Sequence, residues 1–479
     1  PPISTLFPYT TLFRSVGFSI VFQAQLDIFN KLIKVLRENK IQCHFTAGGH
    51  YPSLRYEELM NLIPELDSVV LFEGEHTMTE LAEKIRNNHE WKNIKGIAYR
   101  DKGRVKRNSL RPLEPDLDWF PLPVRRLFKP MLLGQKAVNL LAGRGCYYKC
   151  SFCSIQRFYA QPPGKVKRIR RPEFVAREMQ LHFEQEGCTI FLFQDDDFPL
   201  SASNGQNWIA EFCNQLEKKN LADKIMWKIS CRVNEVDESK FSTLMSYGLI
   251  MIYLGIESGT VDGLKFMNKK ITPQQSLYAV DTLKRIKLPY EFGFMLFDPF
   301  TSFESLQKNL DFLMELCGDG SASVGLSKML ALAGTDIEET LRSQNRLYGQ
   351  PPYEDYKFSD PQMDKCYQWL YTIFSDWMHS DTGFFNSSRR MHLEVEIFRR
   401  LKADKDLAED AAKEFYAIVS SANQFLLNTV SFVAKLINSA AVVNDRYVGL
   451  ESMVTITHND YCNQLTVLSH KLEDIIAVY

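Results

Sequence analysis

The sequence predicts an α/β protein: a partial (β/α)6, TIM-like barrel, preceded by an incomplete doubly wound, Rossmann-like domain and followed by a mostly helical C-terminal region. Three observations carry this. From Val16 to residue 347, short β-branched and aromatic runs alternate with amphipathic helical stretches, the pattern of parallel strands joined by helical crossovers. Pro112, Pro115, Pro121 and Pro123 interrupt that alternation and stiffen a linker. Pro351 and Pro352 end it, and from Asp364 onward the apolar spacing is helical. Domain limits follow at 16–126, 127–347 and 348–479.

In the first block Val16–Val21 reads as a buried strand and Leu26–Asn39 as an amphipathic helix with Ile28, Leu32, Val35 and Leu36 on one face. Strand Ile41–Ala47 ends in Gly48–Gly49–His50. After a helix at Tyr56–Ile63, strand Ser68–Phe72 ends in Glu73–Gly74–Glu75. A helix at Thr77–Asn87 leads to a hairpin, Ile94–Arg100 with Val105–Asn108, turning at Asp101–Lys102–Gly103. In the second block strands are expected at Val138–Ala142, Thr189–Gln194, Met226–Cys231, Ile250–Ile256, Tyr290–Leu296 and Ser323–Leu330. The helices between them include Pro172–Gln185, Gly205–Lys219 and Thr272–Ile286. In such barrels functional groups gather at the C-terminal ends of the strands.

Lys and Arg number 57 against 58 Asp and Glu, a net charge of −1, which argues against nucleic acid or an anionic membrane surface as a bulk electrostatic partner. The most lipid-like run, Phe425–Val443, is broken by Asn428, Lys435 and Asn438 and reads as a buried helix. The N-terminus lacks the basic, apolar, small-residue succession of a signal peptide. Residues 1–15, PPISTLFPYTTLFRS, resemble a translated sequencing-adapter read-through and are read as a non-native tail, with the native chain beginning before Val16. Ten cysteines are too few for a disulfide scaffold, and three of them crowd into Cys146–Cys153. That points to a reducing, cytoplasmic compartment and a metal site.

The crowded segment, directly after the first barrel strand, is Cys146–Tyr147–Tyr148–Lys149–Cys150–Ser151–Phe152–Cys153. Three thiolates from one loop can hold three corners of a cubane iron–sulfur cluster and leave the fourth iron open to a substrate. Gly143 and Gly145 let the backbone wrap closely. A structural zinc site is the rival, but zinc there wants four ligands, and the next Cys or His are His182 and Cys188.

The stretch AGRGCYYKCSFC resembles the radical S-adenosylmethionine (SAM) superfamily, whose signature is C-x3-C-x-aromatic-C, with Phe152 as the aromatic residue; the resemblance covers 137–347. It implies a [4Fe–4S] cluster on Cys146, Cys150 and Cys153, SAM on the open iron, and reductive cleavage to a 5′-deoxyadenosyl radical. By their place in the barrel Gln194 and Asp195 match the segment receiving the SAM amino group, with a solvated turn as the alternative. Arg232 faces the SAM carboxylate or an ordinary surface salt bridge. Gly255–Ile256–Glu257–Ser258–Gly259 is similar to a G-x-E-S-G run, which makes Glu257 and Ser258 candidates for the SAM amine or ribose. Phe297–Asp298–Pro299–Phe300 departs from the Gly-Pro-Gly-like turn many relatives carry there.

Val16–Arg126 resembles the later part of the cobalamin-binding domain that precedes many radical SAM barrels, through Ser19, Gly48–Gly49–His50 and Glu73–Gly74. Glycines at strand ends let a bulky cofactor tail approach the backbone. No D-x-H-x-x-G segment is present to supply a histidine to cobalt, so His50 reads as a loop or tail contact. The basic run Lys165, Lys167, Arg168, Arg170 and Arg171 reads as solvated surface, a partner for acidic groups, or a contact to a charged substrate. Cys43, Cys188, Cys213, Cys317, Cys366 and Cys462 read as small apolar residues, and Trp369, Tyr371, Phe374 and Trp377 as core. The resemblance implies cobalamin-dependent methylation of an unactivated carbon in a small-molecule or peptide substrate, with reduced flavodoxin or ferredoxin as electron donor. Two readings stay open beside it: a radical SAM cyclase or rearrangement enzyme without bound cobalamin, and a non-catalytic zinc-stabilised binding protein.

Overall fold

The computed structural model describes residues 13–125, 131–200, 208–350, 354–401, 405–439 and 448–478. Most of the assigned tail, residues 205–207 at the start of one expected helix, and Pro351–Pro352 lie outside the described residues. The chain divides into two compact units that are not contiguous in sequence. One takes in residues up to 115, 145–168 and 330–356; the other takes in 116–144, 169–329 and 357–479.

In the first unit β1 (Ser15–Ser19), β2 (His44–Gly48) and β3 (Ser68–Val70) pair in parallel, with α1 (Leu26–Glu38), α2 (His50–Leu54) and α3 (Tyr56–Leu62) in the connections. After α4 (Glu75–Arg86), β4 (Ile97–Asp101) and β5 (Arg104–Arg107) extend the sheet antiparallel. Their turn has Lys102 and Gly103 at positive φ, as a two-residue hairpin with right-handed strand twist requires. Helix α1 differs from expectation in the face it buries. Leu26, Ile33 and Leu36 are buried, whereas Ile28, Leu32 and Val35 are 70%, 43% and 38% exposed. The helix is apolar on two sides, and the side that meets Phe18 and Phe45 is the one that packs. Phe158 and Tyr159, from α5 (Ser154–Ala160), join that core.

In the second unit β6 (Met131–Leu132), β7 (Gln135–Leu140), β8 (Cys188–Phe193), β9 (Met226–Arg232), β10 (Leu249–Glu257) and β11 (Tyr290–Phe294) form one sheet in the order β11-β10-β9-β8-β7-β6. The five strands β7 to β11 are parallel, and β6 turns back antiparallel on β7. Helices α6 (Pro172–Glu186), α7 (Trp208–Lys218), α8 (Glu238–Ser246), α9 (Pro273–Arg285) and α10 (Phe303–Cys317) follow in alternation. The expected sixth strand, Ser323–Leu330, shrinks to a single parallel bridge between Phe297 and Lys328. At its start Asn423 stands in for a strand neighbour, accepting the Val324 N–H (3.0 Å) and donating to the carbonyls of Ala322 (2.8 Å) and Cys317 (2.9 Å), while Phe297 pairs with Ser327 and Met329 further on.

Helices α11 (Pro361–Ile373), α12 (Phe384–Arg400), α13 (Lys405–Asn438) and α14 (Val448–Val478) complete this unit. By length and composition α13 is apolar enough to cross a membrane, but 56% of its most apolar window is buried against neighbouring helices, as core. Phe374 and Trp377 are core, Trp369 is half-buried, and Tyr371 faces solvent because α11 packs through Met363, Cys366, Leu370 and Ile373. Cys188, Cys213, Cys317 and Cys366 are buried, and Cys43 and Cys462 half-buried. The basic run divides: Lys165 and Arg171 are exposed and Lys167 and Arg168 buried, and the expected acidic partners are present, Glu73 for Arg168 and Asp118 for both Arg170 and Arg171.

His392, on α12, lies fully buried with Nε2 unpartnered, and burial pushes its imidazole down to about 4. Glu291 pulls the other way, and Lys228 and Arg399 add to the depression. Between pH 6.5 and 4 the unfolded chain binds a proton that the folded chain refuses. Stability is therefore expected to fall as pH drops through that window, by about 3 kcal/mol at its full extent. Urea unfolding of the wild type and of His392→Leu at pH 7 and pH 5 checks this. The variant is expected to show a flatter pH dependence, and an equal slope in both chains refutes the assignment.

Candidate active site

The strands of the second unit are buried on one face through Ile229, Cys231, Ile252, Leu254 and Ile256. The opposite face alternates with polar and small residues, as a period of two requires. In register, Ser230 stands opposite Tyr253 and Tyr253 opposite Glu291; one layer further on, Arg232 stands opposite Gly255 and Gly255 opposite Gly293.

At the C-terminal ends of these strands the expected site residues fall into two groups. Asp195 is buried and its carboxylate accepts the N–H groups of Ala142 (3.0 Å) and Gly143 (2.6 Å), just ahead of the cysteine segment in sequence. Those two amides oppose the solvated-turn reading of Asp195 and make it a fastener of the main chain. Gln194 beside it is exposed, and its Nε2 donates to Asn139 Oδ1 at 3.3 Å. Arg232 is buried too, so a surface salt bridge is ruled out. Its own N–H donates to Glu235 Oε2 at 2.8 Å, and its guanidinium donates to the carbonyl of Lys269.

Lys269 in turn donates to Glu257 Oε1 at 2.8 Å, both side chains being nearly buried. Gly255 makes room for this pair, since a Cβ there would stand 2.6 Å from Lys269 Nζ and 2.9 Å from Glu257 Oε1. Glu257 has φ +72°, with a register shift between Gly255 and Glu257. A non-glycine residue held in this region at a bulge is strained, and such strain clusters at functional sites. Ser258 does not meet the expectation of an open contact. Its hydroxyl is buried beside Asn309 and accepts the Thr260 N–H at 3.2 Å, so it serves the turn.

The cysteine loop belongs to the first unit and runs into α5, with the Cys153 N–H donating to the Cys150 carbonyl at 3.1 Å. Cys146, Cys150 and Cys153 are half-buried, as is Phe152. Gly145 has φ +78°, and a Cβ on it would run into the carbonyl oxygen of Val166. Among the described residues no group of His, Cys, Asp or Glu is gathered to hold a single metal ion. By donor chemistry, three thiols on one loop fit a cluster of several irons, each thiol taking its own corner. A cavity of about 630 Å³ opens beside the loop, lined among others by Arg55, Lys149, Gln156, Arg157 and Asp336.

The residues expected to face cobalamin have partners within the first unit. Ser19 and Gly48 end β1 and β2. Gly49, at φ +118°, abuts the Ile20 carbonyl, while a Cβ on Gly48 or Gly74 would stand 3.3 Å from Val70. The close approach is thus the chain's own. His50 stacks on Phe158 at 4.1 Å, and burial lowers its pKa. Glu73 holds Arg168 through two bonds of 2.7 and 2.8 Å. Phe72, at φ +62°, also meets the Phe158 ring. Lys269, Lys228, Glu291 and Arg389 escaped the sequence reading. Polar residues at every second position of the buried strand MWKISCR are the signal that exposes Lys228.

The radical SAM superfamily model matches residues 140–313, and the B12 binding domain model matches residues 12–82. An uncharacterized methyltransferase of Pyrococcus horikoshii is 29% identical over 306 residues, 63% of this chain and 64% of that protein. The anaerobic magnesium-protoporphyrin IX monomethyl ester cyclase of Cereibacter sphaeroides is 25% identical over 280 residues, covering 56% of this chain and 44% of that one. The chain thus spans less than two thirds of these relatives. The solved structure of the cobalamin-dependent SAM radical enzyme OxsB, with aqua-cobalamin and SAM bound, shares the fold at a TM-score of 0.62 and 20% identity, covering 96% of this chain and 77% of that chain. Two domain models matched in sequence order, on a fold shared over nearly the whole length, place the chain in the radical SAM superfamily, in its B12-binding-domain-containing subclass, whose cofactors are a [4Fe–4S] cluster, SAM and cobalamin.

Proposed function

We propose that this chain is a cobalamin-dependent radical SAM methyltransferase acting on an unactivated carbon of a small molecule. The observation that carries the reading is the single loop bearing Cys146, Cys150 and Cys153 inside the matched radical SAM segment. When bound, the reduced cluster and SAM supply a 5′-deoxyadenosyl radical that abstracts hydrogen, and cobalamin supplies the methyl group. The chain's own residues position and enclose. Cys146, Cys150 and Cys153 ligate iron, and Gly145 lets the loop pass close to Val166. Asp195 fixes the main chain leading into that loop. Glu257, held at an unusual φ and steadied by Lys269, offers a carboxylate to the SAM amine, and exposed Gln194 offers a second polar contact. A reduced flavodoxin or ferredoxin supplies the electron.

Anaerobic reconstitution is the test. The expected protein is brown, holds about four irons with matching sulfide, forms 5′-deoxyadenosine from SAM and dithionite, and changes the spectrum of added hydroxocobalamin. One zinc without iron or labile sulfide overturns the enzyme reading. Formation of 5′-deoxyadenosine with no cobalamin response overturns the methyltransferase and favours a cyclase or rearrangement enzyme.

A further inference from the structure

Four residues before Arg232 and Glu257, about 13 Å deeper along the strands at their usual rise, the polar face of the sheet carries a second charged group. Lys228 Nζ and Arg389 Nη2 both donate to the same oxygen, Oε2 of Glu291, at 2.6 and 2.8 Å. Arg389 comes from α12, its guanidinium 5.9 Å from the Tyr253 ring centre and 5.5 Å from that of Phe385. Burial works against ionisation of Glu291, but the two cations outweigh it and hold its carboxyl below the usual range. The trio therefore carries two positive charges and one negative.

The donors are not used up. An arginine has five N–H groups and a lysine three. Among the described residues the hydrogen bonds of both side chains reach only Glu291. Arg389 keeps 37% of its side chain accessible and Lys228 20%, while Glu291 keeps 6%. Tyr253, opposite Glu291 in register, has an O–H to donate, and burial pushes its phenol up to about 12. A closed structural ion network pairs its charges and saturates its donors. This one leaves a cationic excess and open N–H groups on the same sheet face as the SAM-end residues.

We infer that Arg389 and Lys228 form a subsite for an oxyanion of the substrate, a carboxylate or a phosphoryl group, with Glu291 holding the two cations in place. The inference rests on the enzyme reading above for the word substrate, but the anion site can be tested without turnover. Neither side of the reaction changes covalently here. The group binds, fixes how deep the substrate enters, and so selects the carbon that faces the radical.

The experiment titrates the anaerobically reconstituted full chain with inorganic phosphate, and separately with acetate, at ionic strength held constant with potassium chloride, reading the thermal unfolding midpoint. Saturable stabilisation by phosphate assigns a phosphoryl group, and by acetate a carboxylate. Arg389→Gln is expected to raise the half-saturating concentration at least about tenfold, the loss of a charge-assisted bond. Glu291→Gln removes the internal competitor and is expected to lower that concentration, an opposite sign that a purely structural trio does not produce. Arg390→Gln, an exposed neighbour paired with Glu394, is expected to match the wild type. No saturable effect of either anion on the wild type overturns the subsite. So does an unchanged half-saturation in both variants, or in Glu291→Gln alone if Arg389→Gln does not fold. Formation of 5′-deoxyadenosine is measured on the same preparation, so failure of the enzyme reading registers separately from failure of the anion site.

Discussion

Asp195→Asn is expected to cost about 3 kcal/mol of folding stability and to bring the iron retained after reconstitution down to that of a Cys150→Ala chain. The carboxylate is buried and accepts the N–H groups of both Ala142 and Gly143. An ionised acceptor of two amides contributes more than a neutral one, each such bond being worth about 1.5–3 kcal/mol. Asparagine offers one oxygen, and its NH2 group turns donors toward a donor. One buried amide is then orphaned. Gly143 lies three residues ahead of Cys146, so disorder at this turn is passed along the chain into the ligand loop. Urea unfolding and iron and sulfide analysis read the two effects. Full iron retention in a folded Asp195→Asn chain would falsify the coupling. A loss of iron with unchanged stability would move the role of Asp195 from the main chain to direct contact with a bound group.

The order of elements, the parallel pairing of both sheets and the cysteine loop were legible because they rest on local signals: strand period, glycine at turns and ligand spacing. What escaped rests on long-range choices. Helix α1 carries two apolar stripes, and only the tertiary neighbours Phe18 and Phe45 decide that Leu26, Ile33 and Leu36 go inside. Ser323–Leu330 has the composition of a strand, but it pairs only through a single bridge at Lys328, and at its start Asn423, about a hundred residues away, takes the Val324 N–H. At the site, glycines at strand ends predicted room for a cofactor, and Gly49 also makes room for the Ile20 carbonyl and Gly48 and Gly74 for Val70. The acidic Glu73 and aromatic His50 were legible as strand-end residues, but not their partners Arg168 and Phe158, which follow the cysteine loop. A motif announces ligands well and second partners poorly, because a partner needs only charge or shape at one point in space.

Lys269→Met is expected to destabilise the chain by about 3–5 kcal/mol, since removing one member of a buried pair leaves an uncompensated charge. Here that charge is Glu257, already in a strained backbone conformation, so the folded state has little left to offset the loss. The double variant Glu257→Gln/Lys269→Met is expected to recover most of the stability, because the isolated carboxylate is gone. Arg232 keeps its acceptor in both chains, the Lys269 carbonyl being main chain. Stability and ligand binding then separate the two roles of Glu257. If its carboxylate receives the SAM amine, the double variant refolds without regaining SAM, its dissociation constant raised about tenfold or more for the loss of a charged hydrogen bond. Recovery of both stability and SAM affinity would make the pair a structural brace and leave Gln194 as the polar strand-end contact. Recovery of stability alone fixes Glu257 at the cofactor, with Lys269 as the residue that keeps it aimed.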